Sequence, residues 1–223
     1  MQVGNVQVGD VRMSEAKVNK VQEMQESPLS REQVLEIFAS CGAILHGHFI
    51  LTSGLRSATY LQKALVFRDP QKARILCSAL AQKISQAGLG EISQVVSPAM
   101  GGVIPGYETA RHLGLPAIFT ERVDGKFQLR RGFRISPGER LIVVDDIVST
   151  GISIRECISC VRELGGDVVA AACLIDRSGG EADIGVDLIR LTDYKVKAYR
   201  EDELPAELAA IPAVKPGSRG LGR

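Results

Sequence analysis

The sequence predicts an α/β protein with a central, mostly parallel sheet flanked by helices. Three observations predict it. Near-continuous apolar runs, LIVV at 141–144 and VVAAACLI at 168–175, suit strands buried on both faces. Segments of helical period alternate with such runs, which is the βαβ rhythm of a parallel sheet. Glycines mark the helix ends, Gly88 after one and Gly165 and Gly166 after another.

Length and composition narrow the field. At 223 residues the chain accommodates one sizeable α/β domain with an embellishment, not two full domains. Its 27 basic and 26 acidic residues leave a net charge of +1, so charge gives no case for nucleic acid or a membrane surface. No apolar run reaches the roughly 18 residues that suggest a membrane span. The amino terminus, MQVGNVQVGDVRMSE, has no basic region followed by an apolar core. A soluble, cytoplasmic protein is expected. Five cysteines scattered through helix and strand patterns suit a reducing compartment. Cys157 and Cys160 form a C-x-x-C, but within a helical pattern and without a second pair, so Cys157 reads as core packing. His46, His48 and His112 have no metal-ligand spacing with carboxylates.

Residues 1–26 lack an apolar period and are expected to form a disordered extension, with Met13 or Met24 as alternative starts. From Ser30, the pattern REQVLEIFASCGA places Val34, Leu35, Phe38 and Cys41 on one helical face, with Ser30 and Gln33 as a capping box. Two strand-like pieces follow around Ser53-Gly54. Asp69-Pro70 then opens a helix that Gly88 stops. A strand over 94–98 runs into Met100-Gly101-Gly102 and a helix over 103–113, followed by the strand PAIFTERV. VDGK, at 123–126, signals a tight hairpin, because Asp-Gly favours positive φ. The surrounding segment carries Arg122, Lys126, Arg130, Arg131 and Arg134. A solvated hairpin accounts for that composition; its place between two strands whose ends carry the site favours a mobile basic lid that excludes water. The central strand spans 140–145 and its helix 153–164, with Ile154, Cys157, Ile158, Val161 and Leu164 on one face. The folded part is expected at 27–205 and a C-terminal tail at 206–223, whose end VKPGSRGLGR, 214–223, is expected to fray, with no internal repeats.

The chemistry concentrates in LIVVDDIVSTGIS, residues 141–153. Asp145 and Asp146 close a buried strand, and Ser149, Thr150 and Gly151 turn the chain into a helix that Ser153 can cap. Ligands of open α/β sheets bind just outside the carboxyl ends of strands. A helix start there offers unpaired N–H groups and partial positive charge to a phosphate. The carboxylates would repel a bare phosphate. They make sense for a ligand that also carries vicinal hydroxyls and Mg²⁺. A sugar phosphate fits both halves.

That segment resembles the signature of the type I phosphoribosyltransferases. The resemblance implies their fold, with a small N-terminal hood and a flexible basic hairpin lid. It also implies binding of 5-phosphoribosyl 1-diphosphate (PRPP) by residues 145–153: Asp145 and Asp146 hold the ribose hydroxyls, while Ile147, Val148, Ser149, Thr150, Gly151, Ile152 and Ser153 form the phosphate turn. Mg²⁺ is implied as cofactor, carried mainly by PRPP rather than by direct protein ligands. FILTSGLRSATYLQKALVF, residues 49–67, resembles the hood of orotate phosphoribosyltransferases, and the match covers roughly residues 30–200. In that family Tyr60 and Leu61 would cover the pyrimidine, Ser149 would contact orotate, and Arg177 in LIDRSGG would pair with its carboxylate. A planar guanidinium suits a carboxylate, which is what orotate has and uracil lacks.

The loop PAMGGVIPGYETA resembles the one that meets the diphosphate, with Gly101 where many orotate enzymes carry lysine. In the lid, Arg122 and Lys126 are the implied diphosphate contacts and catalytic residues beside the acidic pair. No lid histidine is present. The implied reaction gives orotidine 5′-monophosphate and diphosphate, in de novo pyrimidine (UMP) biosynthesis. A homodimer is implied, each lid serving its neighbour's site. The rivals are transfer to another base, and a non-catalytic RNA-binding or repressor protein on this fold. The latter is disfavoured by the balanced charge.

Overall fold

The computed structural model describes residues 28–51 and 53–216. The extension expected over 1–26 lies outside the described residues, as do Thr52 and the end of the tail. Helix α1 (Arg31–Ser40) starts at its capping box: Gln33 N donates to Ser30 Oγ at 3.3 Å, and Ser30 N donates to Gln33 Oε1 at 2.8 Å. Val34 and Phe38 bury its inner face. Strands β1 (Ile44–Ile50) and β2 (Arg56–Leu61) pair antiparallel and form the hood. After the single turn α2 (Ala64–Phe67), α3 (Pro70–Gln86) begins where Asp69 accepts from the amides of Gln71 and Lys72, with Pro70 in its first turn.

The main sheet follows: β3 (Gln94–Pro98), α4 (Val103–Leu113), β4 (Ala117–Val123), β5 (Lys126–Leu129), β6 (Arg140–Val148), α5 (Ile152–Glu163), β7 (Asp167–Asp176) and β8 (Leu188–Asp193). Its strand order is β5-β4-β3-β6-β7-β8, parallel except for β5. From β3 the chain winds outward to β4, and from β6 it winds the other way to β7 and β8. The switch point therefore lies between β3 and β6, and a crevice opens beyond their carboxyl ends. Alternation along β6 feeds two cores. Ile142 and Val144 join the layer of α1 and α3, whereas Leu141 and Val143 join the layer of α5. Gly106 lets α4 lie flat on β3: a Cβ there would come within 1.8 Å of Ser97 Oγ.

Several elements differ from expectation. Helix α5 begins at Ile152, one residue early, and Ser153 does not cap it; the cap position is Gly151, at φ 75° and with no side-chain hydrogen bond. Strand β8 was not foreseen, because the short, polar-interrupted LIRLTD lacks the long apolar run of its neighbours. The VDGK hairpin is present, with Asp124 and Gly125 both at positive φ (50° and 83°). It is not a free-standing flap, since β5 is an edge strand of the main sheet and Phe127 is buried in the α5 layer.

Short strand β9 (Ala198–Tyr199), within the expected folded part, extends the hood sheet. The segment assigned to the tail also has structure up to residue 216, where α6 (Ala206–Ala209) buries Leu208. Val214 exchanges backbone hydrogen bonds with β1, its N–H to His48 O at 2.8 Å and its carbonyl from Ile50 N at 2.9 Å. An unpaired hood edge thus gains a partner.

Replacing Gly106 by alanine is expected to lower unfolding stability by about 1–3 kcal/mol, the usual range for overpacking a close contact. Denaturant melts of Gly106→Ala and of the double variant with Ser97→Gly check it. Partial recovery in the double variant is expected; equal stability of all three proteins would contradict the close-contact account.

Candidate active site

The crevice beyond β3 and β6 is built from four pieces of chain. The first is the end of β6. Asp145 and Asp146 are buried, 7% and 1% exposed, on opposite faces of the strand. Their oxygens take up the local amides: Asp146 N donates to Asp145 Oδ1 at 2.8 Å, and Ile147 N donates to Asp146 Oδ1 at 2.6 Å. Burial pushes the Asp145 carboxyl well above the usual carboxylate range; Asp146 adds to that shift, and Lys63 opposes it. Asp146 Oδ2 is buried without a hydrogen-bond partner.

The second piece is the turn after β6. Ser149 and Thr150 are exposed, Gly151 is buried, and Ile152 and Ser153 are exposed on the first turn of α5. The first amides of that helix have no intrahelical acceptor, so they face the crevice mouth ready for an anion. Gly151 is required twice over. Its φ of 75° disfavours any side chain, and a Cβ would meet Ile184 Cγ2 at 2.8 Å and Ala182 Cβ at 3.2 Å. Ile147 and Val148 contribute backbone alone to this wall; Val148 is 2% exposed and its side chain faces the core.

The third piece is the loop after β3. Gly102 is enclosed by Pro98 and Val144, whose carbonyls would lie 2.9 and 3.0 Å from a Cβ. Gly101 borders the acidic pair: a Cβ there would lie 2.4 Å from Asp146 Oδ2 and 2.9 Å from Lys63 Nζ.

The fourth piece joins β7 to the hood. Arg177 N donates to Val148 O at 2.7 Å, which ties the end of β7 to the end of β6. Asp176 holds the following loop, accepting from Ser178 N (2.8 Å), Ser178 Oγ (2.6 Å) and Gly180 N (2.9 Å). Arg177 Nε is buried without a partner. Burial lowers the guanidinium pKa, against the opposing influence of nearby Tyr60 and Tyr194. Arg177 and Tyr60 therefore come together, as their expected shared role requires.

Other expected site residues fall elsewhere. Leu61, expected over a ligand ring, is 4% exposed and belongs to the core; strand alternation that turns Tyr60 outward turns Leu61 inward. Arg122 and Lys126 do not act from one face of the hairpin. Arg122 pairs across it with Phe127, and Lys126 with Val123, so their side chains project to opposite sides. Arg122 stacks 4.4 Å from the Phe127 ring centroid, donates to Gly125 O at 2.5 Å, and forms an ion pair with Glu156 on α5.

Lys63 was not foreseen as a site residue. Its ammonium lies 2.6 Å from Asp146 Oδ1, joining the hood to the acidic pair. The signal was a single lysine inside the hood motif YLQK, which resembles any solvated residue until the fold brings it across 83 positions of chain. The buried cysteines carry no comparable chemistry. Burial pushes the Cys77 and Cys157 thiols up to about 12, so neither is a thiolate at neutral pH.

Residues 67–203 match the family model described as the phosphoribosyl transferase domain. Over 193 residues, the chain is 60% identical to Orotate phosphoribosyltransferase 2 of Mesorhizobium japonicum, covering 86% of this chain and 100% of that protein. This chain belongs to the orotate phosphoribosyltransferase family. Identity to the family member from Maricaulis maris is 57% over 194 residues, with the same coverage of 86% and 100%. Among solved structures, the crystal structure of orotate phosphoribosyltransferase from Aeropyrum pernix matches with a TM-score of 0.61 at 28% identity, covering 72% of this chain and 93% of that one. The structure of Leishmania donovani UMP synthase, at 19% identity and a TM-score of 0.64, shares the fold over 80% of this chain and 38% of that one.

Gly151→Ala is expected to weaken binding of ribose 5-phosphate about tenfold or more, because strain and collision at the turn disturb the amide cradle. Calorimetric titration of the folded variant checks it. An unchanged affinity would remove the turn from the phosphate site.

Proposed function

We propose that the chain transfers the 5-phosphoribosyl group from PRPP to orotate, giving orotidine 5′-monophosphate and diphosphate in pyrimidine biosynthesis. The observation that carries this reading is Arg177. A half-buried arginine whose Nε is buried without a partner, beside Tyr60, opens onto the same crevice as the acidic pair and the phosphate turn. A guanidinium in that position needs a planar anion, and a carboxylate accepts two of its N–H groups at once. Ser149, exposed at the end of β6, supplies a hydroxyl on the same side. Tyr60 supplies a ring face for the pyrimidine; Leu61 supports it from the core below.

For PRPP, the amides of residues 149–153 take the 5-phosphate, and Asp145 and Asp146 take the ribose hydroxyls. Orotate N1 then attacks the anomeric carbon while the bond to diphosphate breaks, with inversion at that carbon. The protein's share is to hold both reactants in line and to stabilise charge. The carboxylates below the ribose favour the positive charge that develops on the ring. Arg122 reaches the diphosphate only by leaving Glu156, and Lys126 only from the other face of the hairpin. A movement of the hairpin tip, or a contribution to a neighbouring subunit, therefore belongs to the proposal.

Mg²⁺ fits this site as a companion of the substrate. Asp146 Oδ2 is an unpartnered hard oxygen, suited to Mg²⁺ directly or through water. Among the described residues no group of three or more His, Cys, Asp or Glu side chains forms a metal cluster, so the remaining ligands would come from PRPP and water. When bound, the ion neutralises the leaving diphosphate.

A homodimer in the cytoplasm completes the proposal. Its support is an apolar patch at the start of α4, where Met100 of the preceding loop and Ile104 and Tyr107 of the helix are 85%, 51% and 65% exposed beside a groove against Phe119 of β4. All five cysteines are free, and among the described residues no helix is long and apolar enough to cross a membrane.

Arg177→Ala is expected to lower kcat/KM for orotate about a hundredfold or more, with PRPP affinity kept within about threefold. Steady-state kinetics and PRPP titration of the folded variant check both halves. Retained orotate turnover, or loss of PRPP binding, would overturn the assignment of Arg177.

A further inference from the structure

We infer that Lys63 is a substrate-contacting residue, the hood's cation for the diphosphate end of PRPP, seated on Asp146 and admitted by the missing side chain at Gly101. The inference rests on the reading that PRPP is the donor. Three observations carry it. Lys63 Nζ lies 2.6 Å from Asp146 Oδ1, at the bottom of the crevice rather than on the outer surface of the hood. The side chain is 40% exposed while Asp146 is 1% exposed, so the ammonium stands between a buried carboxylate and the opening. Gly101 in the loop after β3 leaves space for the Asp146–Lys63 pair; a Cβ there would lie 2.4 Å from Asp146 Oδ2 and 2.9 Å from Lys63 Nζ.

The charges require such a group. A substrate bearing a diphosphate approaches a wall with two adjacent carboxylates, which repel it. The hairpin arginine that could compensate is engaged by Glu156. An ammonium carries three N–H donors, and one of them goes to Asp146 Oδ1. The others are directed by a stem fixed in the link between β2 and α2.

Lys63 lies just outside the segment 67–203 matched by the domain model, so the cation is supplied by the hood and not by the domain itself. A loop side chain at position 101 and a hood lysine at position 63 would compete for one place. This chain has the second arrangement.

The experiment compares wild type, Lys63→Met and Lys63→Arg in binding three ligands: PRPP with Mg²⁺, diphosphate with Mg²⁺, and orotidine 5′-monophosphate, which has the ribose and phosphate but no diphosphate. Lys63→Met is expected to weaken PRPP and diphosphate about ten- to a hundredfold, with the nucleotide changed less than about threefold. Lys63→Arg, which keeps the charge, is expected to recover most of the lost PRPP affinity. Equal weakening of PRPP and nucleotide by Lys63→Met would reduce Lys63 to a support for Asp146 and overturn the inference. Unchanged PRPP binding would overturn it as well. Should Lys63→Met fail to fold, Lys63→Arg and wild type are compared across a salt series. Equal diphosphate affinity in the two then supports a charge contact, and a hundredfold loss in the folded Arg variant opposes it. Failure of the donor reading itself appears separately, as wild-type protein that binds neither PRPP nor diphosphate.

Discussion

Two adjacent carboxylates buried at the end of a central strand set the terms for the rest of this molecule. Removing an ion from water costs several kcal/mol even after relaxation, unless it is paired or hydrogen-bonded. The local chain answers part of that cost with the amides of Asp146 and Ile147. Lys63 answers another part from the hood. Asp145 shows that the compensation is incomplete, since burial leaves its carboxyl well above the usual range. An arrangement so unfavourable for stability makes sense where a polyhydroxylated ligand completes it.

The remaining architecture brings complementary groups to that point. The strand order places the switch between β3 and β6, so a glycine-rich loop and a helix start flank the acidic pair. The β6–β7 pairing carries Arg177 to the same crevice, and Asp176 holds its loop in shape. The hood closes the other side with Tyr60 and Lys63. It is itself tied down by the C-terminal segment through Val214 and by the buried His48, whose Nδ1 lies 2.9 Å from Ile211 O. In the proposed reading, one side of the crevice takes phosphate and ribose and the other a planar acid.

Much of this was legible in the chain. The LIVV and VVAAACLI runs, the capping box at Ser30 and the Asp69-Pro70 helix start are local signals, and each produced the expected element. The family was readable from the resemblance of LIVVDDIVSTGIS and the hood segment, the sheet from the apolar runs, and the meeting of Arg177 with the β6 turn from the expected adjacency of those two strands. What stayed hidden depends on orientation or distance. Period-two alternation buries Leu61 beside an outward Tyr60, and the same rule separates Arg122 from Lys126. Lys63 acquires meaning only through a contact across the hood, and residues 206–216 only through pairing with β1. Ser153 looked like a cap because serine favours that position; the left-handed glycine before Ile152 ended the turn one residue sooner.

If one crevice joins a phosphoribosyl donor to an acidic pyrimidine, as proposed, orotate absorbance in the ultraviolet changes with turnover in the presence of PRPP and Mg²⁺, while parallel assays with uracil, adenine and hypoxanthine show none. Turnover of a base that lacks the carboxylate, at a rate comparable to orotate, would contradict it, as would PRPP binding without transfer to any base.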